Sequence, residues 1–255
     1  MKLLILGGSG EAADLARALA VDARYDVTLS LAGRTVEPTL LPGKLRKGGF
    51  GGAEGLAHTL TEDRFDLLID ATHPFAVQMK AHAIEAARAA GAPLLAIRRS
   101  AWIPSEGDRW IMVDRIEDAP AALGDTPRRP FLTTGRMELA PFRKAPQHFY
   151  VLRSVEAPSP EKLPPRVELI TARGPFKFDD ERALLEDHAI DVVVTKNSGG
   201  TATSAKLEAA RALSLPVIMV ERPALPEALS VETVADALAW LERAHGSMSS
   251  ARRGV

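Results

Sequence analysis

Two stretches of the chain read almost as copies of each other. Glu85 to Arg99 is EAARAAGAPLLAIRR, and Glu208 to Arg222 is EAARALSLPVIMVER, at a constant offset of 123 residues. The strand-length runs before them also correspond: DLLIDATHPF from Asp66 with DVVVTKNSGG from Asp191. Each copy continues past its Arg into a loop and a helical pattern, VDRIEDAPAAL from Val113 and VETVADALAWL from Val231. A repeat of strand, helix, strand and Arg constrains the fold strongly. Continuous apolar strands that alternate with amphipathic Ala-rich helices require a parallel sheet covered on both faces. The expectation is an α/β chain of two similar open parallel-sheet domains, Rossmann- or flavodoxin-like, with a cleft between them. The boundaries read from the sequence are residues 1–124 and 125–245, with GDTPRRP as linker. Residues 246–255 are small and polar and are read as a disordered tail.

Composition removes several classes of function. The 255 residues carry a net charge of −1, which gives no global basic field for nucleic acid. There is no cysteine, so disulfides, thiolate nucleophiles and cysteine-held metals are excluded. The opening MKLLILGG runs into glycine without a cleavage region, and no run approaches a membrane span. The reading is a cytoplasmic protein without a membrane or nucleic-acid partner, for which a monomer is adequate. No set of acids and histidines suggests a metal.

In open parallel sheets ligands bind beyond the carboxyl ends of the strands. GGSGEA (7–12) follows the first strand and opens a helix, where glycines and helix N–H groups suit a phosphate. A tight strand-helix turn explains it equally well. SLAGR (30–34) ends the second strand with Ser30, Gly33 and Arg34 and no acid, a pattern that favours NADP(H) over NAD(H). RKGGFGG (46–52) packs four glycines around Phe50, as a loop passing under a ligand would. In DATHPFA (70–76), helix capping accounts for Thr72 and Pro74 but not for Asp70 or His73. His73 there is either structural or able to bind ligand and move a proton. In the second half, TTGR (133–136), RGPF (173–176) and TKNSGGTAT (195–203) occupy matching positions. The Gly199–Gly200 backbone is expected to open a helix as an anion nest. Arg136, Arg153, Arg173, Lys196 and Arg222 would form one basic edge suited to a polyanionic small molecule.

Taken in order, LILGGSGEA, SLAGR, GGFGG, DATHPFA, TTGR, ARGPF, TKNSGG and VERP resemble the precorrin-6A reductases of cobalamin biosynthesis, over about residues 2–241. Ser9 stands where many relatives have Thr. The resemblance implies an NADPH-dependent oxidoreductase whose substrate is the tetrapyrrole precorrin-6A. Hydride goes to carbon 19 and a proton to carbon 18, which gives precorrin-6B. It implies cofactor contacts from Gly8, Ser9, Gly10, Ser30, Gly33, Arg34, Gly49, Gly51 and Thr72, with Gly8, Ser9 and Gly10 on the pyrophosphate side, Ser30 and Arg34 holding the 2′-phosphate, and the 49–52 loop and Thr72 nearer the nicotinamide. It implies substrate contacts from Arg136, Lys196, Ser198, Gly199 and Arg222, whose forks and ammonium groups suit carboxylates. His73, Lys196 and water are left open as proton donor. The cobalt-precorrin-6A branch and a non-catalytic nucleotide or tetrapyrrole sensor remain as alternatives.

Overall fold

The computed structural model describes residues 1–33 and 43–253. They form two compact units, one of Ala101–Pro223 and one of the residues on either side of it. The first unit holds β1 (Lys2–Leu6), α1 (Gly10–Ala20), β2 (Asp26–Leu31), β3 (Lys44–Lys47), α2 (Ala53–Glu62), β4 (Leu67–Asp70), α3 (Val77–Ala90) and β5 (Leu94–Ile97). The second holds β6 (Arg109–Val113), α4 (Ala119–Leu123), β7 (Pro130–Leu132), β8 (Tyr150–Ser154), β9 (Val167–Thr171), α5 (Phe178–Asp187), β10 (Val192–Lys196), α6 (Ala205–Ala212) and β11 (Pro216–Val220). The chain then returns to the first unit with β12 (Ser230–Val231) and α7 (Val234–Arg253).

Both sheets have six parallel strands, ordered β12-β5-β4-β1-β2-β3 and β6-β11-β10-β7-β8-β9. Each is the Rossmann order, with the strand sequence reversing direction at β1 and at β7. Burial explains why the strands read as continuous apolar runs. Leu3 and Ile5 face a core shared with Leu15 and Leu19 of α1 and Ala237 and Leu241 of α7. Leu4 and Leu6 face the opposite core, with Leu56 and Leu60 of α2 and Ala83, Ala86 and Ala87 of α3. Side chains alternate between faces, and both faces are dry.

The boundary near 124 is corrected by the sheets. β6 follows β5 in sequence but pairs with β11, Trp110 opposite Val217. β12 follows β11 but pairs with β5, Ser230 opposite Ala96. The two halves thus exchange their last strand and the helix after it, so the chain crosses at Ser100–Ala101 and again at Pro223–Ala224. Because the halves are near repeats, the two sheet edges look alike in sequence, and local pattern carries no record of which strand each one receives. α7 also continues to Arg253 through most of the tail read as disordered.

Candidate cofactor and substrate sites at the strand ends

In the first unit the turn after β1 is shaped by close approach. The Gly7 N–H donates to Ser30 O at 2.9 Å, and a Cβ on Gly7 would lie 2.8 Å from Leu29 Cδ1. Gly8 has φ +109°, and a Cβ on Gly8 or Gly10 would meet nothing within 4 Å, so the turn opens onto free space. Ser9 caps α1: its Oγ accepts from the Ala12 N–H at 3.1 Å and donates to Ala71 O at 2.7 Å, tying the β1 and β4 ends together. Its hydroxyl is therefore already committed to the fold. Glu11, in the first helical turn, pairs with Arg99 at the β5 end at 2.5 Å. Burial alone would raise the Glu11 carboxyl, but Arg99, its own N–H and Ser9 outweigh burial and hold it below the usual range. Ser30 is buried and Gly33 has φ +72°; Arg34 lies outside the described residues.

The crowded corner at 70–76 has a different logic from capping. α3 begins only at Val77, and its N-cap residue Ala76 has no capping side chain. Thr72 instead donates its hydroxyl at 2.6 Å and its N–H at 3.0 Å to Asp70 Oδ1. Lys80, one turn into α3, reaches back to Asp70 Oδ2 at 3.1 Å and to Thr72 O at 3.3 Å. The acid and the hydroxyl are thus one buried network with a lysine the sequence had not singled out. His73 Nδ1 accepts the Phe75 N–H at 3.2 Å, which fixes one edge of the ring against the turn before α3.

The 49–52 loop follows β3 at the sheet edge, and Thr72 follows β4, with β1 and β2 between the two strands. Phe50 of the loop packs against the core that holds Leu6 of β1 and Leu68 of β4.

In the second unit the basic side chains come with acids. Arg136 bonds Glu156 at 2.7 Å, and Lys196 at the β10 end bonds Glu138 at 2.7 Å. Arg222 donates to the Asn197 and Ser198 carbonyls at 3.3 and 3.1 Å. Ser198 is buried; Gly199 and Gly200 have φ +68° and +78°. The expected nest does not open a helix, since α6 starts five residues later at Ala205. Asn197 instead grips the backbone of Trp102, accepting its N–H at 2.8 Å and donating to its carbonyl at 3.0 Å. Arg153 leaves the basic edge altogether: it is buried, paired with Glu181 and stacked 3.6 Å over Phe176. Thr134, after β7, has a buried hydroxyl without a hydrogen-bond partner among the described residues. Such a group costs about 1–3 kcal/mol unless a ligand satisfies it.

Against this geometry the comparisons with known proteins are decisive. Residues 2–242 match the family described as precorrin-6x reductase CbiJ/CobK. The chain belongs to the precorrin-6x reductase family. It is 53% identical over 221 residues to a precorrin-6A reductase of Sinorhizobium sp, covering 87% of this chain and 85% of that one. A solved structure described as CobK precorrin-6A reductase superposes with a TM-score of 0.90 at 44% identity, over 96% of this chain and 97% of the other. A cobalt-precorrin-6A reductase of Priestia megaterium is 30% identical over 235 residues, 87% of this chain and 90% of its own.

In this precorrin-6x reductase, sequence reasoning missed Lys80 and the acids Glu11, Glu138 and Glu156, and for Lys80 and Glu156 it held no signal. A signal existed for two of them. Glu11 and Glu138 each stand three residues after the positive-φ glycine of their turn, Gly8 and Gly135. Among the described residues no helix is long and apolar enough to cross a membrane, and no group of three or more histidines and acids could hold a metal ion.

Proposed function

We propose that this reductase transfers hydride from NADPH to carbon 19 of precorrin-6A, with protonation at carbon 18, to give precorrin-6B. The observation that carries the cofactor side is the open glycine turn at the switch point of a Rossmann-ordered sheet. Cβ atoms at Gly8 and Gly10 would project into empty space where a pyrophosphate needs room. The residues present fit a dinucleotide, and NADPH supplies the hydride when bound. Gly8, Gly10 and the Ser9 backbone would line the pyrophosphate, with Gly33 and Arg34 toward the adenosine. Arg99 neutralises Glu11 in the turn, which would otherwise repel a phosphate.

The second unit would bind the macrocycle's carboxylates through Arg136, Lys196, Arg222 and the 198–199 backbone. In the structure Arg136 is paired with Glu156, Lys196 with Glu138, and Arg222 with the 197 and 198 carbonyls. Of the two side chains left open beside water as proton donor, Lys196 is favoured. Lys196 stands at the β10 end, bonded to Glu138, in the unit proposed to bind the macrocycle, whereas His73 Nδ1 is already engaged by the Phe75 N–H.

Identity of 53% to a precorrin-6A reductase against 30% to a cobalt-precorrin-6A reductase supports the metal-free substrate. The test is anaerobic turnover with purified protein, NADPH or NADH, and each of the two substrates. NADPH oxidation with precorrin-6A is expected. Activity only with the cobalt form would move the enzyme to the other branch. Binding of both ligands without NADPH oxidation would leave a sensor.

A further inference from the structure

We infer that Arg46, on β3, is a further side chain that recognises the adenosine 2′-phosphate of NADPH, beside the Ser30 and Arg34 read from the sequence, an assignment that rests on the cofactor reading above. In a Rossmann sheet the adenosine ribose lies at the end of the second strand. β3 is the next strand outward, in a register that sets Arg46 beside Ser30 and Lys47 beside Leu31. The two strand ends stay joined past the sheet. The Gly48 N–H donates to Leu31 O at 2.9 Å, and a Cβ on Gly33 would lie 3.7 Å from Gly48 N.

Arg46 is built into this corner. It donates through NH1 to Gly48 O at 2.8 Å and through NH2 to Gly49 O at 3.0 Å, and its guanidinium lies 3.8 Å from the Phe50 ring centre. Those bonds use two of the five N–H groups of a guanidinium. The remaining ones have no acceptor among the described residues. A planar cation fixed on both an aromatic face and two carbonyls is suited to a phosphate, because little entropy is lost when the remaining donors engage. The loop it organises leaves room: Cβ atoms at Gly48, Gly49, Gly51 and Gly52 would meet nothing within 4 Å. Charge agrees. Lys44 is taken by Asp26 at 2.8 Å, but Lys47 is exposed without an acid partner among the described residues. No acid stands at the described β2 end, residues 30–33. The four-glycine loop is thereby assigned to the adenosine side of the cofactor.

Arg46 also tethers the loop, so the test must separate a tether from a phosphate contact. Full-length wild type, Arg46→Ala and Arg46→Lys are compared for binding of adenosine 2′,5′-bisphosphate and 5′-AMP, which differ only in the 2′-phosphate. Loss of one charge-assisted contact predicts that Arg46→Ala reduces the preference for the 2′-phosphate about tenfold to a hundredfold, with 5′-AMP affinity changed less than about threefold. Arg46→Lys, which keeps charge without the fork, should lose about fivefold or more of that preference, and decides the question if the alanine variant does not fold. A preserved preference overturns the assignment, as does equal weakening of both ligands, the mark of a tether. A wild type that shows no preference for the 2′-phosphate would instead overturn the NADPH reading itself.

Discussion

Lys80 Nζ sits 3.1 Å from Asp70 Oδ2, and the two side chains are only 1% and 3% exposed. Removing one partner leaves a charge stranded in the interior, which typically costs about 3–5 kcal/mol. Lys80→Met is therefore expected to lower unfolding free energy by roughly that amount in urea denaturation. The double variant Asp70→Asn, Lys80→Met should recover much of the loss. If Lys80→Met alone is neutral, the pair does not hold the corner that carries His73.

If Lys196 binds a substrate carboxylate as proposed, Glu138 competes with it, since the two already form an ion pair at 2.7 Å. The pair is partly exposed, 15% and 34%, so its strength is about 1 kcal/mol or less. Glu138→Gln is expected to lower KM for the macrocycle by about threefold to fivefold. A raised KM in steady-state kinetics would show that Glu138 orients Lys196 rather than occupying its place.

Gly55 lies within α2, where alanine would gain about 1 kcal/mol of helix propensity. Sterics oppose this: a Cβ there would be 1.7 Å from Phe50 O, a backbone atom. The clash should dominate, and Gly55→Ala is expected to destabilise by about 2 kcal/mol or more, shifting the loop that Arg46 binds. A raised melting temperature would contradict this.

His148 is wholly buried, and burial pushes its imidazole below the ordinary value, only partly offset by the Gly124 backbone. The unfolded chain therefore binds a proton that the folded chain does not. Stability should fall as pH drops through the ordinary imidazole range, near about 6.5, before the carboxylates titrate. Melting curves from about pH 7.5 to 5.5 should show this decline, and it should be shallower in His148→Asn, whose oxygen can replace Nδ1 in accepting the Arg128 N–H at 3.2 Å. Equal slopes would remove His148 as the cause.

The sequence disclosed the parallel α/β architecture because every central strand, such as Leu3 to Leu6, is buried on both faces and shows it locally. It disclosed the tight turns after β1 and β2 because glycines such as Gly8 and Gly33, which take positive φ, stand at those strand ends. Long-range partners were not legible. Arg153 reads as one more surface cation until Glu181, on another element, is found beside it. Thr72 reads as a cap until Asp70 and Lys80 claim it. The exchange of β6 and β12 is invisible in the sequence for a related reason: two repeats offer edges that look alike in sequence.

The most direct test of the account is to run the reaction with NADPH carrying deuterium at both nicotinamide C4 positions and to examine the reduced macrocycle by mass spectrometry and NMR. Direct hydride transfer predicts one deuterium per product molecule, located at carbon 19, with the carbon 18 hydrogen drawn from solvent. A reduced product without deuterium, or with deuterium at carbon 18, would contradict it.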